Sequence, residues 1–239
     1  MKIKGRNAVR EALNSNTNII KIMASKSSTD RVLSDILFLA KKKGVKVQLV
    51  ENKILDKEAE NNQGIVAITS EFEYSTVEEI LQVAREKNRE HFILILDGIE
   101  DPHNFGSIIR VAECLGVDGI IISKNRACPV NDTVAKVSAG AIEHVRIAKV
   151  TNINNEIENL KKNNIWVHAC ELGGQDLESS DLSGNIAIVM GSEGKGVSAL
   201  TKKLCDGVVS MKMHGKVNSL NVSVATGIVL YEAVRKRGN

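Results

Sequence analysis

The sequence predicts an α/β protein in two units, a small N-terminal domain followed by a larger one built on a parallel sheet. Short apolar runs alternate with segments of helical periodicity along the whole chain, as strands and helices in turn would. From Phe92 onward the runs are continuous, Phe92-Ile-Leu-Ile-Leu-Asp97 above all, which is the pattern of strands covered on both faces. Between the two sets, Ser70 to Ser75 is polar, acidic and dotted with aromatics, and reads as a linker.

In the first unit Asn7 to Asn14 forms a short helix and Ile19 to Ala24 a strand. Asp30 to Lys43 carries Val32, Leu33, Ile36, Leu37 and Leu39 at helical spacing, with Gly44 as its C-cap. Val45 to Val50 alternates as a strand, Lys53 to Asn61 is helical, and Gly64 to Thr69 is a buried strand. The second unit opens at Thr76, with Glu79 in capping-box register. Strands then follow at Phe92–Asp97, Gly119–Ile122, Trp166–Cys170, Ile186–Met190 and Val208–Met211, separated by helical or loop stretches. The last helix, Asn221 to about Arg237, begins apolar nearly all round, so it is buried in a core or against a partner.

Composition narrows the function classes. With 239 residues and 43% hydrophobic content the chain buries a sizeable core, and disorder is not expected. A net charge of +3 is too small for binding that rests on electrostatics alone, and 3% aromatics is too little for a base-stacking platform. Any RNA recognition therefore leans on phosphate contacts and shape. Cys114, Cys128, Cys170 and Cys205 are widely spaced and the five histidines form no cluster, so neither a metal site nor a disulfide framework is expected. The start, Met1-Lys-Ile-Lys-Gly-Arg-Asn7, lacks the apolar segment of a leader, and no apolar run approaches ~18 residues. A soluble, cytoplasmic protein with no membrane partner is expected.

Three separated segments carry the chemistry. Asp101-Pro-His-Asn104-Phe-Gly-Ser-Ile-Ile-Arg110 leads from a strand into a helix and places Asn104 and Arg110 at or near the strand's carboxyl edge, where open α/β sheets bind ligands. The Arg110 fork suits a phosphate, although a solvated helical arginine in a surface ion pair reads equally well. Gly191-Ser-Glu193-Gly-Lys-Gly196 follows a strand and precedes a helix, an arrangement that presents free backbone amides, or simply a turn that needs positive φ. It is neither a dinucleotide fingerprint nor a P-loop. Met211-Lys-Met213 to Ser219-Leu220-Asn221-Val-Ser223 places Ser219 and Asn221 at a helix start, where either serves as an N-cap, while Met211 and Leu220 offer apolar walls for an adenine. Ser138 to Glu143 reads as a tight helix-packing turn, and His103 and His144 as loop residues. Lys41 to Lys43 is the solvated end of a helix. Lys2, Lys4, Arg6, Arg10, Lys124 and Arg126 are candidate phosphate contacts.

The three segments, in this order, resemble the SpoU (TrmH-like) family of RNA 2′-O-methyltransferases. Gly5-Arg-Asn-Ala-Val-Arg-Glu-Ala-Leu13 and Gln63-Gly-Ile-Val-Ala67 are similar to the substrate-binding domain of the family's RlmB-type branch, which methylates a guanosine of bacterial 23S rRNA. The resemblance implies a small N-terminal domain over residues 1–70 with an α/β fold like that of ribosomal protein L30e, which binds the RNA. It implies a SPOUT-type catalytic domain over 76–239 with a deep trefoil knot, a homodimer, and S-adenosylmethionine held by the knotted loops. By position it assigns Asn104, Arg110, Glu193, Ser219 and Asn221 to the active site and Gly191, Gly196, Met211, Met213 and Leu220 to the cofactor. Lys212 departs from the family, which usually has proline there, and places a cation near the cofactor or the dimer seam.

The function so implied is S-adenosylmethionine-dependent 2′-O-methylation of a ribose in large-subunit rRNA. Arg110 then clamps a phosphate and steadies the developing oxyanion, because a guanidinium with a pKa above about 12 is a poor base. The rivals are a tRNA or resistance-type ribose methyltransferase of the same family and a non-catalytic rRNA-binding assembly factor.

Overall fold

The computed structural model describes residues 2–14, 19–28, 30–69, 72–217 and 219–238. The chain divides into two compact units, the first ending at Glu73 and the second beginning at Tyr74. Ser70 and Glu71 of the expected linker lie outside the described residues, and Tyr74 and Ser75 are built into the second unit. The Ser75 amide donates to the Ile147 carbonyl at 2.8 Å, and the Val130 amide to the Tyr74 hydroxyl at 2.9 Å.

The first unit runs β1 (Lys2–Lys4), α1 (Arg6–Asn14), β2 (Ile19–Ser25), α2 (Arg31–Lys42), β3 (Lys46–Val50), α3 (Asn52–Glu58) and β4 (Ile65–Thr69). Its sheet has the order β1-β4-β2-β3, with β4 antiparallel to β1 and β2 and β2 parallel to β3. Val9 and Leu13 of α1 and Leu33, Ile36 and Ala40 of α2 pack on Ile22, Ala24, Ile65 and Ala67. Leu55 of α3 packs with Met23, Val50 and Val66. Asp30 starts α2 by accepting from the Val32 amide at 2.7 Å, and its second oxygen accepts from Arg6 at 2.5 Å. Two of the candidate phosphate contacts are thus already paired, Arg6 with Asp30 and Lys2 with Glu58, whereas Lys4 and Arg10 form no ion pair among the described residues.

The second unit comprises α4 (Val77–Glu86), β5 (Phe92–Asp97), α5 (Pro102–Cys114), β6 (Gly119–Ser123), α6 (Asp132–Val137), a 3-10 turn (Ala141–Glu143), β7 (Arg146–Val150) and α7 (Ile153–Lys162). It continues through β8 (Trp166–Asp176), β9 (Ile186–Gly191), α8 (Ala199–Leu204), β10 (Gly207–Ser210) and α9 (Val222–Lys236). All six strands are parallel, in the order β10-β8-β9-β5-β6-β7. Ile80 and Leu81 of α4 and Ile153, Ile157 and Leu160 of α7 bury one face, against Ile93, Ile95, Ile121, Ala187 and Val189. On the other, α5 packs against α9 and α6; α5 contacts β6 and α9 contacts β9. The capping box is present: the Glu79 amide donates to Thr76 Oγ1 at 3.2 Å, and the Thr76 amide to Glu79 Oε2 at 2.7 Å.

The structure adds β1, paired antiparallel with β4, to the elements read from the sequence, and three further features differ. The helix expected over Lys53–Asn61 stops at Glu58, and Asn62 closes the turn by donating to Asp56 at 2.8 Å. A sixth strand, β7, forms at an edge of the sheet. β8 runs on to Asp176, because its register against β10 jumps between Val208, opposite Ala169, and Val209, opposite Gln175. Cys170 still pairs with Met190 of β9, and the residues from Glu171 to Gly174 are skipped in the pairing with β10.

Both ends of α9 are tied down. At its far end Arg237 donates to the carbonyls of Glu90 at 2.8 Å, His91 at 3.2 Å and Gly184, with its guanidinium 5.1 Å from the centre of the Phe92 ring. These partners lie at the amino ends of β5 and β9. At its near end Asn221 caps the helix beside the carboxyl ends of the strands.

Candidate functional site

Beyond β9 the chain doubles back on itself. Ser192 bridges to Gly196, and the Gly196 amide donates to the Ser192 carbonyl at 2.9 Å. A Cβ on Gly191 would lie 2.1 Å from the Gly196 carbonyl carbon, and one on Gly196 would lie 2.0 Å from Glu171 Oε2. Gly196 also has φ +63°, in the left-handed region that favours glycine. The glycines are therefore required for close approach and for the turn. Glu171, from the excursion of β8, fixes the far side of the loop by accepting from the Val197 amide at 2.9 Å.

Glu193 projects from this loop into a cluster that joins all three sequence segments. Its Oε1 accepts from Asn104 Nδ2 at 3.1 Å, Asn221 Nδ2 at 2.7 Å and the Val222 amide at 3.3 Å. Asn221 Nδ2 also donates to Asn104 Oδ1 at 2.8 Å. Local structure sets each member. Asp101 caps α5 by accepting from the Asn104 amide at 2.8 Å, with Pro102 in the first turn, so Asn104 stands at the helix start. Asn221 Oδ1 accepts from the Ser223 amide at 3.0 Å and its hydroxyl at 2.6 Å, which turns the amide nitrogen toward Glu193. Capping and clustering, alternatives in the sequence, are here both true of Asn221.

A cavity of about 360 Å³ opens beside the cluster. Gly191, Gly196, Met211, Met213 and Leu220, the five residues the resemblance assigns to a cofactor, all line it, together with Glu193 and Ser219. Met190 and Ala225 add apolar wall, and Cys170 and Glu171 a more polar one. Burial, and then the Glu171 charge, push the Cys170 thiol up to about 11, so it lines the cavity as a neutral group. A second cleft of about 290 Å³ shares Glu193, Gly194 and Val222 with the first and reaches Asn104.

Arg110 is not part of the cluster. α5 starts at Pro102, so Arg110 stands six residues beyond Asn104, about 9 Å along the axis. It is exposed, lines neither cavity and forms no ion pair among the described residues. The expectation that it shares the strand edge with Asn104 is corrected by that geometry. Lys212 lies outside the cavity as well. It pairs with Asp176 and borders a groove with Val224, Ile228 and Tyr231 of α9, so the departure from proline falls on the α9 side. Ser138 to Glu143 forms the expected turn, with Gly140 at φ +92° and Ser138 buried. His103 and His144 are exposed. Sequence reasoning missed Glu171, whose contact with Val197 spans 26 residues and belongs to no local motif.

Residues 91–231 match the SpoU rRNA methylase family. The chain belongs to this family. Residues 2–75 of the SpoU protein match the substrate-binding domain of RNA 2′-O ribose methyltransferases. It is 42% identical over 235 residues to YacO of Bacillus subtilis, a TrmH family tRNA/rRNA methyltransferase, covering 98% of this chain and 94% of that protein. A protein of the same description from Staphylococcus aureus is 43% identical over 237 residues, 98% of this chain and 96% of the other. In structure the chain is similar to the SpoU methyltransferase AviRb of Streptomyces viridochromogenes in complex with AdoMet. The TM-score is 0.70 at 21% identity, over 99% of this chain and 90% of that one. An AdoMet-bound rRNA methyltransferase of Sinorhizobium meliloti gives 0.69 at 24% identity, over 98% and 86%. These likenesses establish the fold.

Proposed function

We propose that this SpoU protein transfers the methyl group of S-adenosylmethionine to a ribose 2′-hydroxyl of large-subunit ribosomal RNA, at a guanosine. We further read it as a cytoplasmic homodimer, with the family's trefoil knot in the C-terminal part of the catalytic domain and the RNA-binding role in the N-terminal unit. The observation that carries this reading is the Asn104, Glu193 and Asn221 cluster, which stands where the cavity of about 360 Å³ meets the adjoining cleft.

The cavity fits the cofactor. Its volume lies in the range of about 300–1,000 Å³ usual for small-molecule sites. Met211 and Leu220 offer apolar wall to an adenine, and the Glu171 and Glu193 carboxylates suit a cationic sulfur. When bound, the cofactor supplies an electrophilic methyl on that sulfur. Glu193 lines both cavities, so an RNA ribose seated in the cleft is within its reach. Three N–H donors hold its Oε1, and Oε2, without a partner among the described residues, accepts from the ribose hydroxyl and aligns it. Arg110, exposed and with no ion pair among the described residues, supplies its fork to a backbone phosphate.

The homodimer reading rests on α9. Val224, Ile228 and Tyr231 are 52%, 44% and 63% exposed along one face, an apolar stripe suited to a second copy. The decisive experiment supplies rRNA and tRNA from a strain lacking the gene to the purified protein with methyl-labelled cofactor, then maps the modified ribose. Label in 23S rRNA at a guanosine 2′-oxygen supports the reading. Label in tRNA alone moves the substrate, as the names of the relatives allow, and cofactor affinity without transfer to any RNA refutes it.

A further inference from the structure

The parallel sheet has a crevice that the cofactor and the ribose leave unused. The chain leaves β5 for β6 and β7 and then returns to β8 and β9 on the other side, so the strand order reverses between β5 and β9. Ligands of open α/β sheets bind outside the carboxyl ends of strands at such a reversal. A cavity of about 520 Å³ lies there, reached by Asp97 at the end of β5, Ser123 at the end of β6 and Asn125 beyond it, Asn152 and Asn154 after β7, and Ser192 after β9. It shares Gly98, Glu100, Ser192 and Lys195 with the cleft beside Glu193. Cofactor cavity, cleft and crevice therefore meet around Ser192 and Lys195 at the strand ends.

We propose that this crevice holds the nucleobase of the methyl-accepting nucleotide by its hydrogen-bonding edge. The inference rests on the reading above, that a ribose occupies the cleft. A base is bonded to the carbon next to the one bearing the 2′-hydroxyl. A ribose beside Glu193, with its hydroxyl toward the cofactor cavity, must therefore send its base away from that cavity, and the crevice adjoins the cleft through Gly98, Glu100, Ser192 and Lys195.

The lining suits such an edge. Asp97 Oδ2 accepts from the Ser198 amide at 3.0 Å, and its Oδ1 has no partner among the described residues. Asn154 Oδ1 accepts from Thr201 Oγ1 at 2.9 Å, and its Nδ2 has no partner among the described residues. The Asn125 side chain has no partner among the described residues. A carboxylate that only accepts, beside amides that donate, matches an edge bearing both N–H groups and carbonyl or ring-nitrogen acceptors. It does not match a phosphate, which Asp97 and Glu100 would repel. No aromatic side chain lines the space, so the base is read on its edge and not by stacking. Arg126 and Lys195, also in the lining, are placed for the flanking phosphates.

The test uses the full-length protein, its mapped methylation site, and short transcripts carrying each of the four bases at that position. Asp97→Asn keeps an acceptor for Ser198 and replaces the free acceptor by a donor. Asn154→Asp keeps the Thr201 bond and removes the free donor, and Asn125→Ala removes an exposed, unpaired amide. The wild type is expected to favour one base by at least about tenfold. Each variant should lose roughly tenfold or more on that transcript and flatten the ratio among the four, with cofactor affinity and melting temperature unchanged. Variants with wild-type rates and wild-type base ratios, or a wild type indifferent to the base, overturn the crevice assignment alone. A wild type that methylates no RNA overturns the proposed function and this inference with it.

Discussion

Removing the Glu193 carboxylate tests the cluster most sharply, because two substitutions separate its structural from its chemical part. In Glu193→Ala the donors at 3.1, 2.7 and 3.3 Å lose their common acceptor. Asn104 and Asn221 are open enough for water to replace most of what they lose, while the Val222 amide, in the first turn of α9, is one of the donors that a helix start leaves without an internal partner. The net loss is then about 1 kcal/mol, or ~3 °C in melting temperature for a chain of this size. The rate effect is much larger. Losing the group that aligns the ribose hydroxyl should cut single-turnover methylation by about 100-fold, equivalent to roughly 2.7 kcal/mol in the barrier. Glu193→Gln retains one oxygen for the three donors and turns the other position into a donor, so it should melt like the wild type and still lose the rate. Quench-flow methylation of an rRNA fragment, with scanning calorimetry on the same proteins, reads both quantities. Wild-type turnover in Glu193→Gln would refute the alignment role and reduce the carboxylate to a tie between loops.

Arg110→Ala should leave cofactor affinity and stability within ~1 kcal/mol of wild type and raise the RNA concentration needed for half-maximal rate at least ~10-fold, with Arg110→Lys a poor rescue; unchanged RNA dependence would remove the arginine from substrate binding. Gly196→Ala, which meets Glu171 Oε2 at 2.0 Å and must hold φ +63°, should weaken cofactor binding at least tenfold by calorimetric titration, with a melting temperature several degrees lower. A truncation beginning at Tyr74, where the second unit starts, should bind cofactor normally and fail to methylate rRNA; full rRNA activity would remove the RNA-binding role from residues 1–73. Burial pushes His91 and His168 below their ordinary 6.5, so the unfolded chain takes up these protons first. Stability should be fully present above pH 6.5 and decline as pH falls below it, and His168→Gln should flatten that part of the thermal-shift profile.

Much of the site was legible because the segments that build it carry local signals. Asp101-Pro102 announces a helix start, and with it the place of Asn104; Asn221 ahead of an apolar helix announces a cap. That one carboxylate ties them together follows only from the strand order, which sets β9 beside β5. Arg110 stands farther from Asn104 than six residues of sequence suggest, because α5 carries it along the helix axis. β7 escaped notice because Arg146-Ile-Ala-Lys-Val150 has only two buried residues, between charges, too short a run to stand out. α7 shows Ile153, Ile157 and Leu160 at helical spacing behind Asn152, a signal that was present and unread. The extension of β8 had none, since a strand that leaves its ladder and rejoins it is fixed by the neighbour it rejoins.

The anchoring of α9 has a consequence for how the catalytic unit keeps its precision. A helix of 15 residues is a rod of about 22 Å, and this one is bolted at Asn221 to the cluster and at Arg237 to carbonyls on the opposite rim of the sheet. A strut fixed at both ends neither slides nor turns without breaking a bolt, so the orientation of Asn221 is set partly by the Arg237 guanidinium. Replacing Arg237 by alanine would loosen a cluster it never touches, and the injury would register as imprecision in the placing of Asn221 well before it registered as unfolding.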